Sequence, residues 1–122
     1  MYPIHENSSG IFQELARKND VSFGQLNYLV IKPKCSRGDH YHKRKEEWFI
    51  CLRGRCELDI TDIKNKECRK VIMDPSKKEF VKVGPFENHV LKNLSETKNC
   101  EVLIIVSEEF NPENPDTHKM GK

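Results

Sequence analysis

Apolar residues in this chain come in short runs, and in several of them they recur at every second position. Cys56, Leu58 and Ile60 alternate with Arg55, Glu57, Asp59 and Thr61, the period-two pattern of a strand with one buried face. Residues 26–31 are rich in Leu, Tyr, Val and Ile, and 71–73 and 80–83 are shorter runs of the same character. Residues 48–52 form a continuous apolar run, and Val-Leu-Ile-Ile-Val at 102–106 reads as a strand buried on both faces. Turn-forming residues punctuate these runs at Gly24, Arg37-Gly38, Arg53-Gly54, Asn65-Lys66, Asp74-Pro75-Ser76 and Gly84-Pro85. Helical periodicity is almost absent, and the best helix candidate, 11–18, is short. Roughly seven to nine short strands at this spacing predict an all-β sandwich or barrel.

Composition narrows the picture. The 122 residues fit one domain, 1–122, with an N-terminal arm over 1–22 and a C-terminal tail over 111–122 that wraps the barrel. Charged residues at 33% nearly equal hydrophobic ones at 36%, so the core is modest and the surface heavily charged. A net charge of +2 gives no concentrated basic face, which argues against a nucleic-acid partner. No apolar run approaches the roughly 18 residues of a membrane span, and the N-terminus lacks a signal-peptide pattern. Five cysteines, an odd number without a Cys-x-x-Cys pair, read as reduced thiols in the cytoplasm; their spacing gives no support for a zinc site of their own.

The chemistry concentrates in two segments. His40 and His42 are two residues apart, and on an extended strand they point the same way. Glu47 follows after a short turn, and Gly84-Pro85-Phe86-Glu87-Asn88-His89 supplies a third imidazole. Three neutral histidines and a carboxylate form a ligand set for one divalent metal ion, zinc first, with nickel, iron or manganese as alternatives. Strand parity, with Glu47, Phe49 and Cys51 on one face, favours Glu47 over Glu46 as the carboxylate. Arg37 and Arg53, at the expected barrel mouth, are candidates for a nucleotide pyrophosphate. The run Lys43-Arg44-Lys45 reads first as a solvated turn, and His5 and His118 as surface residues near the termini.

The spacing Gly38-x-His40-x-His42-x4-Glu47-x6-Gly54, with Pro85-x3-His89-x3-Asn93 later, resembles the two motifs of the cupin superfamily. Phe86 stands where cupins usually carry a glycine. Within cupins, Arg37 to His42 with Glu47 and Gly54, and the closing segment 109–117, are similar to the C-terminal cupin domain of capsule-synthesis UDP-sugar epimerase/reductases. A second likeness is to sugar-nucleotide 3,4-ketoisomerases, which share the Arg-Gly-x-His-x-His start and the Cys51-Leu52-Arg53-Gly54 end. Those enzymes tend to carry an amide at the position of Glu47, so Glu47 tilts the reading toward a metal.

The resemblance implies a small jelly-roll cupin barrel that epimerises or isomerises a 4-keto-6-deoxy sugar nucleotide for surface-polysaccharide synthesis, and an exposed edge strand over 24–31, apolar at alternate positions, is the expected interface of a homodimer. A metal-free ketoisomerase, and a non-catalytic sugar-nucleotide binder partnering a separate reductase, are the alternatives. The metal polarises a ketone, and a base removes the adjacent hydrogen. His40 and His42 are placed in catalysis, and Tyr28, on a strand expected to line the barrel, is the candidate base. No Gly-x-Gly-x-x-Gly stretch is present, so reduction is assigned to another protein.

Overall fold

The computed structural model describes residues 2–120, and every regular element in it is a β-strand. The strands are β1 (Ile4–Asn7), β2 (Gly10–Gln13), β3 (Gln25–Ile31), β4 (Ser36–His40), β5 (Glu47–Arg53), β6 (Cys56–Asp62), β7 (Cys68–Met73), β8 (Val81–Val83), β9 (Glu87–Asn93) and β10 (Cys100–Val106). β1 and β2 form an outlying hairpin; the other eight make two antiparallel sheets, ordered β3-β10-β5-β8 and β4-β9-β6-β7. Their inner faces enclose one core, in which Ile31, Phe49, Val83, Val102 and Ile104 meet Leu58, Ile60, Met73 and Leu91. The strand pattern led to an all-β sandwich or barrel, and the two sheets form the jelly roll that the cupin resemblance implies.

Two expectations about elements change. The short helix candidate over 11–18 is not helical: Gly10–Gln13 is a strand paired with Ile4–Asn7, and a turn at 17–20 follows. The doubly buried strand is β5, not β10. Residues 47 to 51 are all buried, whereas β10 alternates, with Leu103 and Ile105 only partly covered. The reason is coverage: arm residues Leu15, Ala16 and Val21 gather with Phe80 around a cleft bounded by Trp48 on β5.

The segments carrying the histidines depend on unusual backbone. β4 is bulged between Gly38 and His40, so that His40 pairs with His89 on β9. Gly38 has φ 98, and a Cβ there would lie 2.8 Å from the His89 carbonyl oxygen, so both conformation and space require glycine. Asp39 follows at φ 65. Phe86, the residue in the glycine position of the second motif, has φ 63: the left-handed turn is kept without the glycine.

Candidate metal and substrate site

β4, β9, β5 and the segment after β4 deliver four side chains to one end of the barrel. His40 closes β4 opposite His89 in the middle of β9, and Glu47 opens β5. His42 lies just beyond Tyr41, whose N–H and carbonyl pair with the carbonyl and N–H of His118 in the tail. One ring nitrogen from each of His40, His42 and His89 lies within 4.8 Å of the others. Glu47 Oε1 sits 2.9 Å from His42 Nε2 and 3.0 Å from His89 Nε2. His42, Glu47 and His89 are buried and His40 is half-buried.

The far sides of two rings are fixed. His42 Nδ1 donates to the carbonyl of Asp116, and His89 Nδ1 donates to the carbonyl of Glu87 at 3.1 Å. With Nδ1–H so committed, each neutral ring turns a lone pair on Nε2 toward the same carboxylate oxygen. Lone pairs facing a carboxylate need a cation among them, supplied by protons on the rings or by a metal ion. A carbonyl fixing the outer N–H is also the usual support of a metal-bound histidine. The donor set fits a borderline divalent ion on these grounds.

Electrostatics agree with a cation-seeking centre. Burial works against charge on Glu47, but hydrogen bonds from His42 and His89 outweigh it and hold the carboxyl down to about 2. Burial likewise opposes a charge on His42, yet Glu47 and the Asp116 carbonyl overcome it and raise its pKa. His40 is lowered to about 4, by burial first and then by the neighbouring His89 and His42 rings. His40 is therefore neutral at physiological pH, with no hydrogen bond to either ring nitrogen among the described residues.

These groups line a cavity of about 380 Å³, large enough for part of a sugar nucleotide. Arg37 borders it, as expected. Arg53 does not: it ends β5 at the opposite pole, its side chain 80% exposed and paired with Glu101 at 3.2 Å. Tyr28 is also corrected. It borders the cavity by position, but alternation along β3 turns its side chain outward; it is 60% exposed and its hydroxyl donates to Glu101. Glu46 faces away and pairs with Lys82 at 2.7 Å.

Two residues of the candidate site escaped the sequence reading. Lys45 is not part of a solvated turn: it is 6% exposed, lines the cavity, and holds its ammonium 5.6 Å from the centre of the Phe110 ring. Its place two residues before Glu47 in extended chain was the available signal. Asp116, 0% exposed, accepts the backbone N–H groups of Lys43, Arg44 and Lys45 at 2.8, 2.8 and 3.0 Å. Nothing local in a Pro-punctuated tail announces that contact.

A model of the polysaccharide biosynthesis C-terminal domain matches residues 5–118. A relative from Pseudomonas aeruginosa, UDP-2-acetamido-2,6-beta-L-arabino-hexul-4-ose reductase, is 29% identical over 95% of this chain. The chain spans 30% of that relative's length. Among solved structures, the capsular polysaccharide assembling protein CapF of Staphylococcus aureus superposes with a TM-score of 0.76 at 25% identity, over 98% of this chain and 35% of its own. The rmlC epimerase of Mycobacterium tuberculosis reaches a TM-score of 0.80 at 20% identity, over 96% of this chain and 64% of its own, a likeness of fold. The cupin resemblance of the sequence is met.

Proposed function

The chain belongs to the polysaccharide biosynthesis C-terminal domain family, and from that premise we propose that it epimerises or isomerises a 4-keto-6-deoxy sugar nucleotide at a metal centre. The observation that carries this reading is the convergence of His42 and His89 Nε2 on Glu47 Oε1, beside neutral His40, inside a cavity. His40, His42, Glu47 and His89 would hold one divalent ion, zinc first, with nickel, iron or manganese as alternatives. When bound, such an ion supplies Lewis acidity toward a ketone oxygen, acidifying the hydrogen on the neighbouring carbon.

The chain's own residues do the rest. The carbonyls of Asp116 and Glu87 hold His42 and His89 in one tautomer and orientation. Phe49, Leu91 and Ile104 line the cavity and exclude water around the sugar. Lys45 presents a buried cation to negative charge on the substrate, and Arg37 at the border suits a pyrophosphate. The Pseudomonas relative's reductase name supports a separate reductase acting on the product. We place the protein in the cytoplasm, with sugar nucleotides; no helix of the described residues is long and apolar enough to cross a membrane.

One observation favours the metal-free ketoisomerase as second reading: His40, neutral and without a hydrogen-bond partner, is free to accept a proton. Elemental analysis and solvent-deuterium exchange into a UDP- or dTDP-4-keto-6-deoxy sugar separate the readings. A metal centre gives close to one equivalent per chain, and Glu47→Gln loses metal and exchange together. His40→Asn slows exchange by about 100-fold, while Tyr28→Phe leaves it unchanged. Exchange that survives Glu47→Gln in metal-free protein establishes the ketoisomerase, and binding without exchange establishes a non-catalytic sugar-nucleotide module.

A further inference from the structure

A second cluster lies at the opposite pole of the barrel. Cys51 sits near the end of β5, Cys56 opens β6 and Cys100 opens β10. They are 3%, 1% and 0% exposed, and their three Sγ atoms lie within 4.8 Å of one another, Cys51 and Cys100 at 3.8 Å. Glu47 and Cys51 share the inner face of β5, four residues and so about 13 Å apart along the strand. The cluster is thus separate from the histidine site, although the same strand serves both.

We propose that Cys51, Cys56 and Cys100 form a buried three-thiolate site for a soft monovalent cation, copper(I). Three sulfurs around one metal at about 2.3 Å stand about 4.0 Å apart. The observed separations, up to 4.8 Å, need to contract by less than 1 Å. Soft thiolates select copper(I), zinc or iron–sulfur clusters. A closed zinc site takes four ligands, and no fourth thiol, imidazole or carboxylate joins this one among the described residues. The carbonyl oxygens of Arg53 and Gly54, 3.4 and 3.6 Å from Cys51 Sγ, accept its S–H. A trigonal copper(I) centre needs no further donor.

The protons and charge can be followed. Each thiol that becomes a ligand releases its proton to water, so one copper(I) on three thiolates frees three protons and leaves two negative charges. The exposed turn after β5 carries Arg53, already paired with Glu101, and Arg55 on either side of Gly54, so the two negative charges are offset only in part. Occupancy would tie β5 and β10 of one sheet to β6 of the other. Sequence spacing cannot reveal the site, because its ligands come from three strands.

The test uses the full reduced chain with exposed Cys35 and Cys68 changed to serine. It is titrated anaerobically with copper(I) held by a chromophoric chelator, and the product is examined by X-ray absorption. One equivalent withdrawn, with an all-sulfur shell of three ligands, is the expected result. The equivalent should persist in His42→Ala/His89→Ala and weaken by at least about 10-fold in Cys51→Ser or Cys100→Ser. If the chelator keeps its copper, or the bound copper shows nitrogen ligands or disappears with the histidines, the proposal is overturned. The three residues are then small apolar core side chains. The absorption measurement on the chain with all three cysteines decides the matter even if a cysteine variant fails to fold.

Discussion

Asp116 shows how much one buried carboxylate can organise. Its two oxygens satisfy three successive N–H groups at Lys43, Arg44 and Lys45, and its carbonyl takes the proton of His42 Nδ1. Charge-assisted hydrogen bonds of this kind contribute about 1.5–3 kcal/mol each. Asp116→Ala should therefore cost at least about 2 kcal/mol in urea unfolding and loosen metal binding without touching a ligand. The pH dependence has a definite sign. Burial weighs against the charge, but the backbone donors prevail and hold the carboxyl down to about 2, below its unfolded value of about 3.9. The folded state thus favours the ionised form; the contribution is full above about pH 4 and disappears as pH falls toward about 2. Asp116→Asn, whose amide turns donors toward backbone donors, should flatten the stability curve in that window relative to the parent. An unchanged acid slope would remove Asp116 from this role. At this scale the sequence disclosed residues tied by motif spacing, His40, His42, Glu47 and His89. Lys45, Asp116 and the true direction of Tyr28 depended on strand parity and on a tail contact some seventy residues away.

β6 was legible because one face is apolar and the other polar, and β3 from its run of strand-forming residues. β9 was hidden, since its inward positions hold His89 and Asn93 beside Leu91, and polar residues facing in erase the alternation. Asn93 is buried because its amide donates to the carbonyls of Ile31 and Lys98, tying β9 to the end of β3. The hairpin β1–β2 was hidden too: seven of its eight residues are exposed, so no periodicity could distinguish it from a short helix. Turn chemistry gives a test at this scale. Gly38 and Phe86 both adopt positive φ, but only Gly38 also faces backbone at 2.8 Å. Gly38→Ala should cost about 2 kcal/mol or more and disturb His40 and His89 together. Phe86→Gly removes about 1 kcal/mol of left-handed strain. It also gives up the stack on Tyr41, with ring centres 6.2 Å apart, and the Lys64 ammonium 4.4 Å above its ring. Those opposing effects should leave its stability within about 1 kcal/mol of the parent, measured by thermal unfolding.

At the scale of the molecule, the two sheets end in four edges, and they are not equivalent. β8 is three residues long, β7 carries Arg69 and Lys70, and β4 is polar and bulged; these features discourage pairing with another chain. β3 is seven residues long and has no charged side chain, and its outward residues Leu26, Tyr28 and Val30 are 54%, 60% and 40% exposed. An uncharged edge with an apolar outer face is the surface on which a second copy of the chain gains most. We therefore propose a homodimer through β3, in which the outward turn of Tyr28 serves assembly instead of catalysis. Light scattering at micromolar concentration should give twice the mass of the chain. Leu26→Lys with Val30→Lys should convert it to a monomer, because charges on an edge strand oppose strand addition. The metal content of that monomer should be unchanged, since His40, His42, Glu47 and His89 all come from one copy. A parent protein already monomeric at those concentrations would exclude the dimer and leave β3 as an edge for some other chain.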